Sequence, residues 1–183
     1  MEQRLRSDTG LTLPIPELTT ARLRLRGFRQ SDFEAYAAIM ADPDVARFLG
    51  TGSTLSREDA WRQMAMILGH WVLRGFGLWA VEEMATGRLV GRIGCHYPEG
   101  FPAFEIGYTL GRDAWGRGYA REGAAAALAY ARDVLHQREI VSVIRPDNTR
   151  SIRVAESLGA VAAETVEFFG APSVLYRYEV LRS

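Results

Sequence analysis

Between Glu105 and Glu122 the chain reads Glu-Ile-Gly-Tyr-Thr-Leu-Gly-Arg-Asp-Ala-Trp-Gly-Arg-Gly-Tyr-Ala-Arg-Glu: an extended apolar run, a glycine-rich turn and a helix start. A strand ending in a turn with Gly116 and Gly118 lets backbone N–H groups converge on an anion, and the helix that follows adds its partly positive N-terminus. Small residues are required because a side chain would hold the backbone away from phosphate oxygens. Two common phosphate motifs are excluded. The dinucleotide fingerprint needs Gly or Ala where Gly116-x-Gly118-x-x-Arg121 has arginine, and a P-loop needs a Gly-Lys-Ser/Thr that does not follow. The plain alternative is a pair of glycines that merely ends a strand tightly.

Periodicity sets the frame around this segment. Residues 1–20, with Pro14 and Pro16, read as an irregular leader, and residues 21–183 as one domain. Arg22 to Arg26 alternates as a half-buried strand, and Ser31 and Asp32 cap a helix carrying Phe33, Tyr36, Ala37 and Met40 at helical spacing. Pro43 is expected to end that helix and Asp44 to cap a short one through Phe48; Ser56 opens a longer helix to about Leu73, stopped by Gly75 and Gly77. Leu78–Glu82 and Leu89–Cys95 form a hairpin around Ala85-Thr86-Gly87. The remaining elements are a strand at Phe104–Leu110, a helix at Tyr119–Leu135, a strand at Ile140–Ile144, a helix at Thr149–Leu158, and strands at Val161–Phe169 and Val174–Leu181. The small residues Ala120, Ala124, Ala127 and Ala131 on one face of the 119–135 helix let it lie close to a sheet. With no repeat or linker to divide it, the chain is a single α/β domain with a mixed sheet.

Bulk properties exclude more than they identify. Lys plus Arg equals Asp plus Glu at 22 each, so an anion site must be local, and neither nucleic acid nor an anionic membrane is an expected partner. Cys95 is the only cysteine, which rules out an intramolecular disulfide. The charged start has no apolar signal core, and the run Met64–Leu73 is too short to span a bilayer; a reducing cytoplasm is the expected location. No metal-ligand spacing is present.

Trp115-Gly116-Arg117-Gly118-Tyr119-Ala120, together with Asn148-x-x-Ser151 and the following Leu158-Gly159-Ala160, resembles the GNAT superfamily of acyl-CoA-dependent N-acyltransferases, and within it the RimJ/RimL-like branch. The element order matches the GNAT fold over roughly residues 20 to 182. Two positions depart from the family pattern: Trp115 replaces the usual polar residue and Ala160 the usual aromatic. The resemblance implies acetyl-CoA as co-substrate, without a metal, and an amine as acceptor, in a monomer or homodimer. It places the coenzyme pyrophosphate on backbone amides from Gly116 to Ala120, with Arg117 adding a charge-assisted contact. It lays the pantetheine arm along the strand through Tyr108, Thr109 and Leu110, where a backbone N–H polarises the thioester carbonyl. Asn148 then faces the pantetheine region, unless it is only a helix cap. Ser151 faces the coenzyme or protonates the departing thiolate.

For the chemistry, an amine must be neutral to attack, and a carboxylate can take its proton, especially if burial raises the carboxyl pKa. Glu105 is the best candidate base; the alternative is a solvated or salt-bridged strand residue. Alternation puts Glu105, Gly107 and Thr109 on the face opposite Ile106 and Tyr108 unless a bulge intervenes. Residues 149–158 contain no tyrosine to act as acid, which leaves Ser151, a water or Tyr119 for that role. His96 is the one histidine placed to approach an acceptor. Trp61, Trp71, Phe76 and Trp79 read mostly as core, and Cys95 as a small buried hydrophobe. The overall reading is an N-acetyltransferase in which the amine of a peptide N-terminus or small molecule attacks the thioester directly. The rival is a non-catalytic acyl-CoA-sensing or protein-interaction module.

Overall fold

The computed structural model describes residues 14–179. The elements run β1 (Leu18–Thr19), β2 (Leu23–Arg26), α1 (Phe33–Met40), α2 (Pro43–Ala46), α3 (Arg57–Arg74), β3 (Leu78–Glu83), β4 (Arg88–His96), β5 (Glu105–Leu110), α4 (Tyr119–Asp133), β6 (Ile140–Ile144), α5 (Thr149–Ser157), β7 (Ala160–Phe168) and β8 (Ala171–Tyr178). They build one mixed sheet in the order β1-β2-β3-β4-β5-β6-β8-β7. Every pairing is antiparallel except β5 with β6.

Two expectations from sequence are corrected. Pro43 does not simply stop a helix: it occupies the first turn of α2, where its missing N–H costs nothing, and Asp42 rather than Asp44 is the cap, accepting from the Asp44 amide. The leader is not wholly irregular, because Leu18–Thr19 pairs with β2 and the Pro16 carbonyl accepts from the Trp79 indole at 2.7 Å. Residues 1–13 lie outside the described residues. The α3 helix keeps its expected ends: Ser56 accepts from the Asp59 amide, and Gly75 closes it in the left-handed conformation at φ 76°.

The middle of the sheet positions everything that follows. Cys95 and Ile93 on β4 stand opposite Ile106 and Tyr108 on β5, and this face packs on α4. The helix lies so close that a Cβ on Gly123 would come within 2.6 Å of Ile93 Cδ1, so a larger residue there would make the Ile93 side chain shift. Arg92, Gly94 and His96 stand opposite Thr109, Gly107 and Glu105 on the other face, toward α1 and α3. The sheet's irregular register lies in the β3–β4 and β7–β8 pairs, not in β5, so the alternation expected for Glu105, Gly107 and Thr109 holds. Trp71 and Trp79 are core, but Trp61 is about half exposed, at 49%, which corrects its assignment. Below β2, the buried Arg26 binds Asp32 and Glu82 at 2.7 and 2.8 Å, so this internal charge is fully paired.

Candidate active site

The parallel pair β5–β6 is joined in register only at Glu105 and Val141. Beyond that point the strands splay, and from Ile106 to Leu110 the β5 edge has no ladder partner on that side among the described residues. Side chains fill part of the gap. Ser142 donates to the Ile106 carbonyl at 2.7 Å, and the Val143 amide donates to Glu105 Oε1 at 3.3 Å. Glu105 therefore stands at the fork, its carboxylate taking the place of the next ladder acceptor.

Two cavities lie beside this fork, and only the smaller is lined by Glu105. One, of about 720 Å³, follows the β5 edge past Trp115 and the glycine turn to the start of α4, with Arg150, Ser151 and Val154 of α5 as its far wall. The other, of about 380 Å³, lies on the α1 and α3 face and is lined by Met40, Arg92, His96, Phe101, Glu105 and Phe168, among others. Tyr108, Thr109, Asn148 and Ser151 line both.

The first cavity has the chemistry of an anion groove. Gly116 and Gly118 sit at φ 72° and 79°, the left-handed region, and a Cβ on Gly116 would point into open space. Gly118 caps α4 without a side-chain hydrogen bond, and among the described residues no protein acceptor takes the amides of Gly116 through Arg121. A helix start with that many unsatisfied donors is built to receive an anion. Arg22 braces the turn, donating to the Arg117 carbonyl at 2.9 Å while paired with Glu122 at 2.7 Å. Trp115, in place of the usual polar residue, donates to the Leu110 carbonyl at 2.9 Å and carries the Arg150 guanidinium 4.0 Å above its ring. It thus ends β5 and holds a cation on the groove.

Arg117 does not serve as expected. Its guanidinium turns away to Glu83 at 2.7 Å, because that carboxylate is nearly buried and needs a charge partner. Its guanidinium is thus engaged outside the groove, and the arginines that line the groove are Arg121, Arg150 and Arg153. Tyr119 is also removed from the candidate acids. Its hydroxyl donates to Glu83 at 2.6 Å, at the helix start and not at the fork, and that bond raises its pKa.

Asn148 caps α5, its Oδ1 accepting from the Ser151 amide at 3.2 Å, which leaves its Nδ2 donors free for a ligand. The Ser151 carbonyl accepts from the Tyr108 hydroxyl at 2.8 Å, which ties β5 to α5 across the junction. Burial, with Tyr178 and Glu105 nearby, raises the Tyr108 pKa and keeps the phenol protonated. Burial pushes the Glu105 carboxyl up to about 7, against the Val143 amide and the Arg92 charge, which pull it down. His96 is driven the other way, to about 3, by burial and the positive charge of Arg92, so it is neutral and weakly basic. Cys95 is fully buried, its thiol pushed up to about 12 by desolvation, and acts as core.

On the side of the 380 Å³ cavity, the sequence points to Glu105, His96, the first helices and the loops at residues 50–54 and 97–102, and residues of all of these line it. Sequence reasoning misses Arg92, Phe168 and Phe169. Arg92 offers one signal, a lone charge in the middle of an otherwise apolar strand. Phe168 and Phe169 offer none, since they meet Phe101 only after β7 and β8 fold back over the loop before β5.

An open groove for a phosphate-bearing chain, a splayed strand edge and a carboxyl poised near neutrality define the class: an acyltransferase acting between two substrates. Residues 22–161 match the model of the acetyltransferase (GNAT) domain, and the chain belongs to that family of enzymes. It is 32% identical over 168 residues to the uncharacterized protein YkkB of Bacillus subtilis, covering 87% of this chain and 94% of that one. It superposes on the acetyltransferase from Agrobacterium tumefaciens with a TM-score of 0.81 at 32% identity, covering 93% of this chain and 98% of that one. RimL, a ribosomal L7/L12 alpha-N-protein acetyltransferase solved in complex with coenzyme A, shares the fold with a TM-score of 0.73 at 21% identity, over 91% of this chain and 97% of that one.

Proposed function

We propose that the protein transfers an acetyl group from acetyl-CoA to a primary amine by direct attack within a ternary complex, and that it belongs to the RimJ/RimL-like branch acting in the cytoplasm. One observation carries the reading: a donor-rich groove and a separate cavity share a wall at Tyr108, Thr109, Asn148 and Ser151, and the cavity is lined by Glu105, a carboxyl whose pKa lies near neutrality. RimL binds coenzyme A, and the groove of this chain has the donors such a ligand needs. Among the described residues no group of His, Cys, Asp and Glu could hold a metal ion, and no helix is long and apolar enough to cross a membrane.

The residues divide the work. The amides of Gly116 to Ala120 and the helix start behind them bind the pyrophosphate, with Arg121, Arg150 and Arg153 as nearby cations. Tyr108, Thr109 and Leu110 offer the unpaired strand edge to the pantetheine arm, and Asn148 Nδ2 reaches it from α5. Acetyl-CoA supplies an activated thioester with a good leaving group. Glu105 takes the proton of the incoming ammonium, directly or through a water, and leaves the amine neutral. Ser151, which lines both cavities, is placed to return a proton to the departing sulfur. The arrangement calls for no covalent enzyme adduct; Cys95, the one thiol, is sealed in the core.

The test is thiol release from acetyl-CoA by the purified protein with N-terminal peptides, polyamines, amino acids and aminoglycosides, against controls lacking acceptor. Acceptor-dependent release is the expected result. Silence across the panel with acetyl-CoA still bound would favour a sensing module.

A further inference from the structure

Among the described residues, only two buried side-chain nitrogens find no hydrogen-bond partner, Arg92 Nε and His96 Nδ1. Both belong to residues on the same face of β4, and those residues line the same 380 Å³ cavity. A buried donor left unmade costs free energy, and native proteins seldom tolerate one without a use. Arg92 is the sharper case. Its guanidinium is always charged, it presents a planar fork of donors, and no carboxylate among the described residues forms an ion pair with it. The contrast with Arg26 is instructive, since that buried guanidinium on β2 is satisfied by two carboxylates.

The cavity has one aromatic and aliphatic wall and one polar wall, the latter including Gln63, Ser142 and Arg145, whose guanidinium donates to the Arg47 and Gly50 carbonyls. The Phe101 ring meets His96 edge-on at 4.7 Å between centroids and Phe168 at 4.8 Å. Phe169 stands 4.4 Å from Phe168, half exposed at the rim. It adopts φ 50°, a conformation that a bulky side chain rarely takes, beside Gly170 in the two-residue turn between β7 and β8. Met40, Met66 and Leu78 complete the apolar wall. Arg92 lines this cavity and not the coenzyme groove, so its missing partner belongs to the acceptor.

We infer that the acceptor is a primary amine that also carries a carboxylate on an apolar or aromatic body, with the carboxylate on Arg92 and His96, the body against Phe101 and Phe168, and the amine at Glu105. This rests on the acetyltransferase reading and deepens it. One anion balances the free guanidinium, and His96, on the same wall of the cavity, stands beside it. A free apolar amino acid and a peptide N-terminus followed by an acidic residue both present this chemistry.

The experiment compares phenylalanine, leucine and methionine with their amides and their decarboxylated amines, and two N-terminal peptides differing only in Asp or Asn at the second position. Thiol release is read for the parent protein, Arg92→Gln and Arg92→Lys. The carboxylate-bearing acceptors are expected to exceed their neutral partners by about 30-fold in kcat/KM, the scale of one charge-assisted hydrogen-bonded pair. Arg92→Gln should erase that preference through KM and not kcat, and Arg92→Lys should restore part of it. Preference among the amino acids identifies a small acceptor, and preference confined to the Asp peptide identifies a protein N-terminus. Equal turnover of acids, amides and amines, or a preference that survives in Arg92→Gln, overturns the inference and leaves the transferase reading standing. Calorimetric binding of N-acetylphenylalanine against N-acetylphenethylamine separates the opposite case. Binding of the acid alone, abolished in Arg92→Gln, upholds the anion site even if no acceptor is turned over.

Discussion

The two cavities that meet at Tyr108, Thr109, Asn148 and Ser151 are built differently. The coenzyme groove draws on one contiguous stretch, the free β5 edge, the Gly116–Gly118 turn and the start of α4, with α5 and the residues from Asp44 to Leu49 opposite. The acceptor cavity is gathered from scattered elements: α1, the segment before α3, α3 itself, β4, β5, β6, the loop before β5 and the β7–β8 hairpin. A ligand held by backbone needs glycine and a helix start in fixed order, whereas a ligand held by side chains can be met by many residue choices on scattered elements. The first surface is suited to a constant ligand and the second to a chosen one.

That contrast orders the expected effects of mutation. Glu105 lines the acceptor cavity and not the coenzyme groove, and Glu105→Gln should lower kcat by 10²–10⁴-fold, roughly the range for loss of a general base, with coenzyme affinity by calorimetry within about twofold. Loss of coenzyme affinity in this variant would mean that the fork is part of the groove. Gly118→Val should instead weaken coenzyme binding by roughly 30-fold while leaving acceptor KM near its parent value, since φ 79° strains a β-branched residue and the side chain crowds the amides. Phe169→Ala, on the acceptor side, should raise acceptor KM by only about threefold, because the ring is half exposed. Asn148→Ala should cost about 1 kcal/mol of stability through loss of the α5 cap, read as a lower Tm.

The same contrast explains what the sequence discloses. The glycine turn, the Asn148–Ser151 spacing and nearly every strand and helix are legible, because each rests on local periodicity, caps and turns. The splay of β5 from β6 is implied only by family resemblance, since no residue pattern marks a ladder that stops after one pair. The Arg117 side chain is misplaced by sequence reasoning because the turn says nothing about Glu83, 34 positions earlier, which captures it. The aromatic wall is invisible for the same reason: Phe101 and Phe168 are brought together only by the sheet order.

Raised pKa also has a thermodynamic sign. The folded state holds the Glu105 proton up to about 7, above the ordinary 4.5. Between these values the folded protein binds more protons than the unfolded chain, so this group lowers stability as pH rises through the window. Glu105→Gln should therefore be more stable than the parent at pH 8, by roughly 2 kcal/mol after allowance for partial exposure to the cavity. An unchanged Tm difference between pH 5 and pH 8 would show that the carboxyl is not held protonated.

The decisive experiment is the pH dependence of kcat/KM for acetyl transfer, measured for the parent and for Glu105→Gln at saturating acetyl-CoA. The parent should gain activity as an enzyme group ionises near pH 7, and the variant should show low activity with that inflection gone. An identical inflection in both proteins would place the base elsewhere and contradict the assignment of Glu105.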